Sequence, residues 1–149
     1  MVNNFNKNGV SMKLLFLLLI MMVSFAHAED NTSDSAYFKA GNWVFISAQP
    51  PFIPGTDKVI DNNVDHQIEQ VLENFRSQVT TAGGKMKNVV KITVYMHNID
   101  KAFPIVKRYI PLYFEAPYPA RTPVGGVSFG SNSNIQITMD GILYMPKNK

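Results

Sequence analysis

Between residues 64 and 82, VDHQIEQVLENFRSQVTTA, the apolar positions Ile68, Val71, Leu72, Phe75 and Val79 recur at i, i+3, i+4, i+7 and i+11. That spacing places them on one face and predicts an amphipathic helix with the stripe turned to the core. Gly83-Gly84 supplies its stop. His66 and Arg76 lie off the stripe and are expected on the solvated face. The period then changes to two. In VVKITVYM, residues 89–96, Val90, Ile92, Val94 and Met96 alternate with Lys91 and Thr93, which predicts a strand with one apolar face.

The remaining elements follow from the same reading. NWVFIS, residues 42–47, is rich in β-formers and reads as a strand, while QPPFIPGTD after it, with three prolines and a glycine, reads as a loop. A second helix is expected from about Ala102 to Phe114. Phe103, Val106, Ile110 and Phe114 share its face, and Pro104 suits its first turn. Pro111 is out of place there, because an interior proline removes a hydrogen bond. IQITMDGILY, residues 135–144, closes the domain as a long strand. The pleat puts Gln136, Thr138 and Asp140 on one face, opposite Ile135, Ile137 and Met139.

The order is strand, helix, strand, helix, strand, strand, with room for a further N-terminal strand. It implies an α+β fold, a two-layer sandwich of a mixed sheet with two helices on one face. The other face of such a sheet is bare unless something covers it, so the domain is expected to oligomerise through that face.

Composition changes this picture mainly at the N-terminus. Lys13, the apolar run LLFLLLIMMVSF and Ala26-His27-Ala28 together read as a signal peptide over residues 1–28, cleaved after Ala28, with Met12 an alternative start. The run is shorter than the ~20 residues a membrane span needs. A periplasmic or secreted protein with no stable membrane anchor is the expectation. A polar arm over residues 29–38 precedes the folded domain, residues 39–149. Lys7 and Lys13 fall in the leader, so of 14 basic and 11 acidic side chains 12 and 11 remain, and the net charge falls from +3 to about +1. No Lys/Arg cluster survives, which argues against a nucleic-acid partner. There is no cysteine, and His27, His66 and His97 are too scattered for a metal site.

Arg121 stands apart. It lies in PYPARTPVGG, Pro117–Gly126, between Pro119 and Pro123 and ahead of Gly125-Gly126. A planar guanidinium binds both oxygens of a carboxylate at once, fixing orientation as well as charge. Flanking prolines restrict the backbone that presents it. A structural ion pair at a subunit interface is the alternative use.

AGNWVFISAQPP, the segment QVLENFRSQVTTAGGKMKNVVKITVYM, YF before the proline run, and PARTPV occur in an order and spacing that resemble the RidA (reactive intermediate deaminase) family over residues 39 to 145. The resemblance implies a chorismate-mutase-like fold and a homotrimer with ligand clefts between subunits. It also implies hydrolysis of enamines and imines such as 2-aminoacrylate to 2-keto acids and ammonia, without a cofactor. Arg121 matches the family arginine that grips the substrate carboxylate, and Ser47 matches a pocket serine, with Ala48 where the family has glycine.

Other positions depart from the family pattern. The glutamate that handles protons on the last strand is replaced by Thr138, or by Gln136 under a different loop gap. Asp140 is the carboxylate on the same face, about 6–7 Å further along the strand. The tyrosine of the N-terminal arm falls near Asp34, leaving Tyr37 as its substitute. An asparagine of the second helix is Lys107, and a small residue after the arginine is Pro123. Thr138 and Asp140 are therefore the candidate catalytic residues, and Arg121, Ser47, Pro123, Tyr37 and Lys107 the candidate ligand-binding ones. Two uses compete: hydrolysis of small imino acids, or non-catalytic binding of small carboxylates in the same clefts.

Overall fold

A computed structural model of the chain describes residues 36–130, 132 and 134–146, so the leader and most of the arm lie outside the described residues. The elements run β1 (Tyr37–Ala40), β2 (Trp43–Gln49), α1 (Val64–Thr81), β3 (Val89–Met96), α2 (Ile99–Tyr113), β4 (Ala120–Val124) and β5 (Ile137–Tyr144). The five strands form one sheet in the order β1-β2-β5-β3-β4. Among the described strands only the β3–β4 pairing is parallel. Both helices pack on the same face, as the α+β reading expected.

The core is the meeting of the α1 stripe with alternate sheet positions. Ile68, Val71, Leu72, Phe75 and Val79 are all buried, against Val44, Ile46, Ile92, Val94, Ile137, Met139 and Leu143. Asn63 caps α1, its side-chain oxygen accepting from the Asp65 N–H at 2.9 Å. Gln67 is also fully buried. Its amide donates to the carbonyls of Asp61 (2.6 Å) and Asn134 (2.8 Å), and its Oε1 accepts from the Gln136 N–H at 2.8 Å. A polar side chain is tolerated there because every hydrogen-bonding group on it is matched. The start of β5 is thereby pinned to α1.

Three expectations need correction. The second helix starts at Ile99, not Ala102. Asn98 is its cap, accepting from the Lys101 N–H at 3.0 Å, so Pro104 lies beyond the first turn. Pro111 is accommodated in the last turn on the exposed side. Val90 is 40 % exposed, and Val89 takes the core position instead. An irregularity between Val89 and Lys91 shifts the pairing with β5 by one residue there. Lastly, Tyr37 and Phe38 belong to β1 rather than to a loose arm.

The helices are tied together by phenols. Tyr109 donates to Asp65 at 2.6 Å and Tyr113 to Glu73 at 2.7 Å, each from α2 to α1. The Asp65 bond pushes the Tyr109 pKa up to about 12, and burial followed by the Glu73 bond pushes Tyr113 upward as well. A proton held more tightly in the folded state stabilises below the unfolded value near 10 and is lost as pH rises through the folded one. Urea-unfolding free energy should therefore fall above pH 10. The fall should be shallower in a Tyr109→Phe, Tyr113→Phe double variant. An identical pH dependence in the two proteins would remove the phenols as its cause.

Candidate functional site

The proline run delivers the chain to the β4 edge, and the register there decides where each side chain points. Arg121 pairs with Ile92 and Pro123 with Val94, both buried under the helices, so Arg121 and Pro123 take the helix side of the sheet. Thr122, between them, pairs with Thr93 on the open side and accepts a hydrogen bond from the Lys91 ammonium. Gly125 follows because the first turn of α2 leaves no room. A Cβ on it would lie 2.7 Å from the Ile99 Cβ. The chain then returns to the sheet through the Val127 N–H, which donates to the Met96 carbonyl at 3.2 Å.

Arg121 is exposed, and its guanidinium carbon lies 5.6 Å from the centre of the Phe103 ring of α2. The Lys107 ammonium lies 5.2 Å from the same centre. Arg121 and Lys107 are thus brought together on one aromatic side chain. Neither has a carboxylate within ion-pair distance among the described residues. This corner can attract an anion and present two donor groups to it.

The other candidates gather elsewhere. Thr138 and Asp140 occupy the open face of β5, as the pleat predicts, with Thr138 only 8 % exposed. Asp140 accepts from the Tyr95 hydroxyl at 2.8 Å. That bond, and then burial, raise the Tyr95 pKa, so the phenol keeps its proton and the pair remains a donor–acceptor unit. One extra residue on β2 between Ile46 and Gln49 bulges Ser47-Ala48 opposite Asp140, leaving both exposed. The Ser47 N–H donates to the Ala36 carbonyl at 3.0 Å, and its own carbonyl accepts from Gln49 at 2.8 Å. Tyr37 lies on β1, half-buried against the core beside Ile46.

One protomer therefore splits the predicted site. Arg121, Pro123 and Lys107 lie on the helix side of the β4 edge, while Thr138 and Asp140 face the other way and Tyr37 sits at the opposite edge, roughly 19 Å away by strand spacing. Two residues were missed from sequence. Tyr95 was legible, because it continues the polar alternation of Lys91 and Thr93. Phe103 was read only as core stripe. A separate groove of about 520 Å³, between the 50–56 loop and α1, is lined by Phe52, Gln70, Glu73 and Asn74 and holds none of the candidates; the Asn74 amide ties the loop to α1 by donating to the Pro50 and Phe52 carbonyls. Among the described residues no cluster of three His, Asp or Glu side chains could hold a metal ion.

Comparison with known proteins agrees with this architecture. The profile described as Endoribonuclease L-PSP matches residues 28–141. The chain is 27 % identical over 99 residues to the 2-iminobutanoate/2-iminopropanoate deaminase of Dermatophagoides farinae, covering 66 % of this chain and 77 % of that one. It is 34 % identical over 103 residues to the chloroplastic Reactive Intermediate Deaminase A of Arabidopsis thaliana, covering 69 % and 54 %. The crystal structure of RidA from an Antarctic Psychrobacter superposes with a TM-score of 0.68 at 31 % identity, covering 76 % of this chain and 89 % of that one. With the sheet order, the two helices on one face and the arginine presented at the β4 edge, these matches place the chain in the RidA family.

Proposed function

We propose that this protein hydrolyses small 2-imino and 2-enamino acids to 2-keto acids and ammonia in clefts between subunits. The observation that carries the reading is Arg121: an exposed guanidinium on a rigid edge strand, without a carboxylate partner among the described residues, in a chain of this family. It holds the substrate carboxylate through two parallel hydrogen bonds. Water then adds to the C=N carbon; its oxygen becomes the keto oxygen and its two protons leave with nitrogen as ammonia.

Asp140, already oriented by Tyr95, is the group that holds that water and takes up its proton; Thr138 lies beside it across from Tyr95. Because Arg121 and Asp140 occupy opposite faces of one protomer, a complete site needs the β4 edge of one copy and the open face of another. The test is ammonia release from imines generated in situ by an amino-acid oxidase. No acceleration over buffer would sink the proposal.

The assembly is a homotrimer on this reading. Its support is the open face itself, which carries Phe38 (67 % exposed), Trp43, Phe45 and Tyr144, with the Trp43 and Tyr144 rings 4.8 Å apart. A contiguous aromatic surface of this kind is unusual on a monomer. Light scattering should give three copies per particle, and Phe45→Lys should yield monomers that keep their helical circular dichroism. A wild-type monomer would remove the clefts and the proposal with them. Export follows from the leader read at residues 1–28. Mass spectrometry of protein recovered from outside the cytoplasm should then find Glu29 at its N-terminus.

A second reading, a non-catalytic carboxylate binder, is favoured by one observation. The position matching the family glutamate, Thr138 or Gln136, carries no carboxylate, and Asp140 is already engaged by Tyr95. Thermal stabilisation by keto acids that disappears in Arg121→Ala, with no turnover of any imine, would select it.

A further inference from the structure

The pairing of Arg121 with Lys107 is the feature that carboxylate anchoring alone leaves unexplained. Phe103 and Lys107 stand one turn apart on α2, and Arg121 reaches the same ring from β4. The two cations can be no further apart than the sum of their distances to the ring centre, 5.2 and 5.6 Å. Both are exposed and both lack an ion-pair partner among the described residues, whose ion pairs are His66–Asp61, Arg76–Glu73 and Arg108–Asp65. The acid nearest Lys107 on its own helix toward the N-terminus, Asp100, is seven positions away, roughly 10 Å along the axis.

Like charges held on one side chain repel, and a ligand with a single carboxylate neutralises only one of them. A ligand with two carboxylates neutralises both. We infer that the arginine-anchored site selects 2-imino acids bearing a second carboxylate. Arg121 grips the carboxylate next to the imine carbon and Lys107 the distal one. The division suits the two chemistries. The planar fork fixes the reacting end, whereas a flexible ammonium accepts a distal carboxylate on a four- or five-carbon chain. The reaction is unchanged: water adds, a 2-keto dicarboxylate forms and ammonia leaves, with no change of oxidation state.

This inference rests on the proposed anchoring role of Arg121, and its test separates the two. Hydrolysis of 2-iminosuccinate and of 2-iminobutanoate, each made in situ by an oxidase, is compared in wild type, Lys107→Asn and Lys107→Arg. Wild type should prefer 2-iminosuccinate. Lys107→Asn should lower kcat/KM for it about tenfold, as expected for one lost charge-assisted contact at an exposed site. It should lower 2-iminobutanoate hydrolysis far less, so that the ratio of the two kcat/KM values falls, and Lys107→Arg should keep the preference. Lys107 is exposed, so neither variant should affect folding. Equal effects on both substrates, or wild-type preference for 2-iminobutanoate, overturns the inference while leaving deamination intact.

Calorimetry with 2-oxoglutarate and 2-oxobutanoate supplies the second readout. Binding of 2-oxoglutarate that needs both Lys107 and Arg121, in a protein that turns over no imine, upholds the dicarboxylate site and sinks the deaminase reading. Equal binding of the two keto acids, or of neither, overturns the inference.

Discussion

Arg121→Ala should lower kcat/KM for imine hydrolysis roughly a hundred- to a thousandfold, the equivalent of about 3–4 kcal/mol from two charge-assisted hydrogen bonds to one carboxylate. It should do so without unfolding the protein. The side chain is exposed and makes no ion pair among the described residues; its visible contact is with the Phe103 ring. An exposed cation–π contact contributes only about 0.5–1 kcal/mol. Activity and stability are therefore expected to separate. Arg121→Lys sharpens the test, because it keeps the charge and removes the fork, and should recover only part of the lost rate. If the alanine variant melts far below wild type, Arg121 is a structural residue and its activity loss says nothing about substrate. If it melts normally and turns over normally, the anchor lies elsewhere.

The legibility of this site in the sequence follows the range of the interactions that build it. The α1 stripe was readable because burial of Ile68, Val71, Leu72, Phe75 and Val79 follows from local spacing alone. The faces of β5 were readable for the same reason. The register slip that exchanges Val89 for Val90 was not, because it depends on how β3 meets β5. Nor was the burial of Gln67, which needs Asn134 and Gln136, nearly seventy residues away, beside Asp61 just ahead of α1. The start of α2 could have been placed from Asn98, a capping residue ahead of an acidic first turn, but Pro104 drew the boundary too late.

The site itself shows the same division. That Arg121 matters was visible in PARTPV. That it points away from Asp140 was not, since the face taken by an edge-strand residue is set by its pairing, here Arg121 with Ile92. The meeting of Lys107 and Arg121 on Phe103 is a tertiary event between α2 and β4, and no spacing in either segment announces it. Consequently the candidates were legible one by one, while the two faces of the sheet on which a protomer carries them are set by strand pairing.

The largest effects on stability are expected where α1 comes closest to the sheet. Gly141 lies in the middle of β5, and a Cβ there would stand 2.5 Å from the Phe75 Cζ, 2.8 Å from its Cε2 and 3.0 Å from the Lys91 carbonyl oxygen. Phe75 is completely buried, and the carbonyl is fixed in the β3–β5 ladder, so neither neighbour can yield cheaply. Gly141→Ala should therefore cost about 1–3 kcal/mol by overpacking. Phe75→Ala should cost about 3–5 kcal/mol through lost burial and the cavity left behind. The two positions share one space, so their effects should not add. In Gly141→Ala, Phe75→Leu the smaller side chain vacates what the new methyl needs, and the double variant should be more stable than the sum of the single changes predicts, by about 0.5–3 kcal/mol in a denaturant cycle. Strict additivity would mean that Gly141 is required for some other reason, such as backbone geometry. A favourable coupling would show that the glycine is there to let a phenylalanine ring rest directly on the strand, on the reverse side of the sheet from Asp140 beside it.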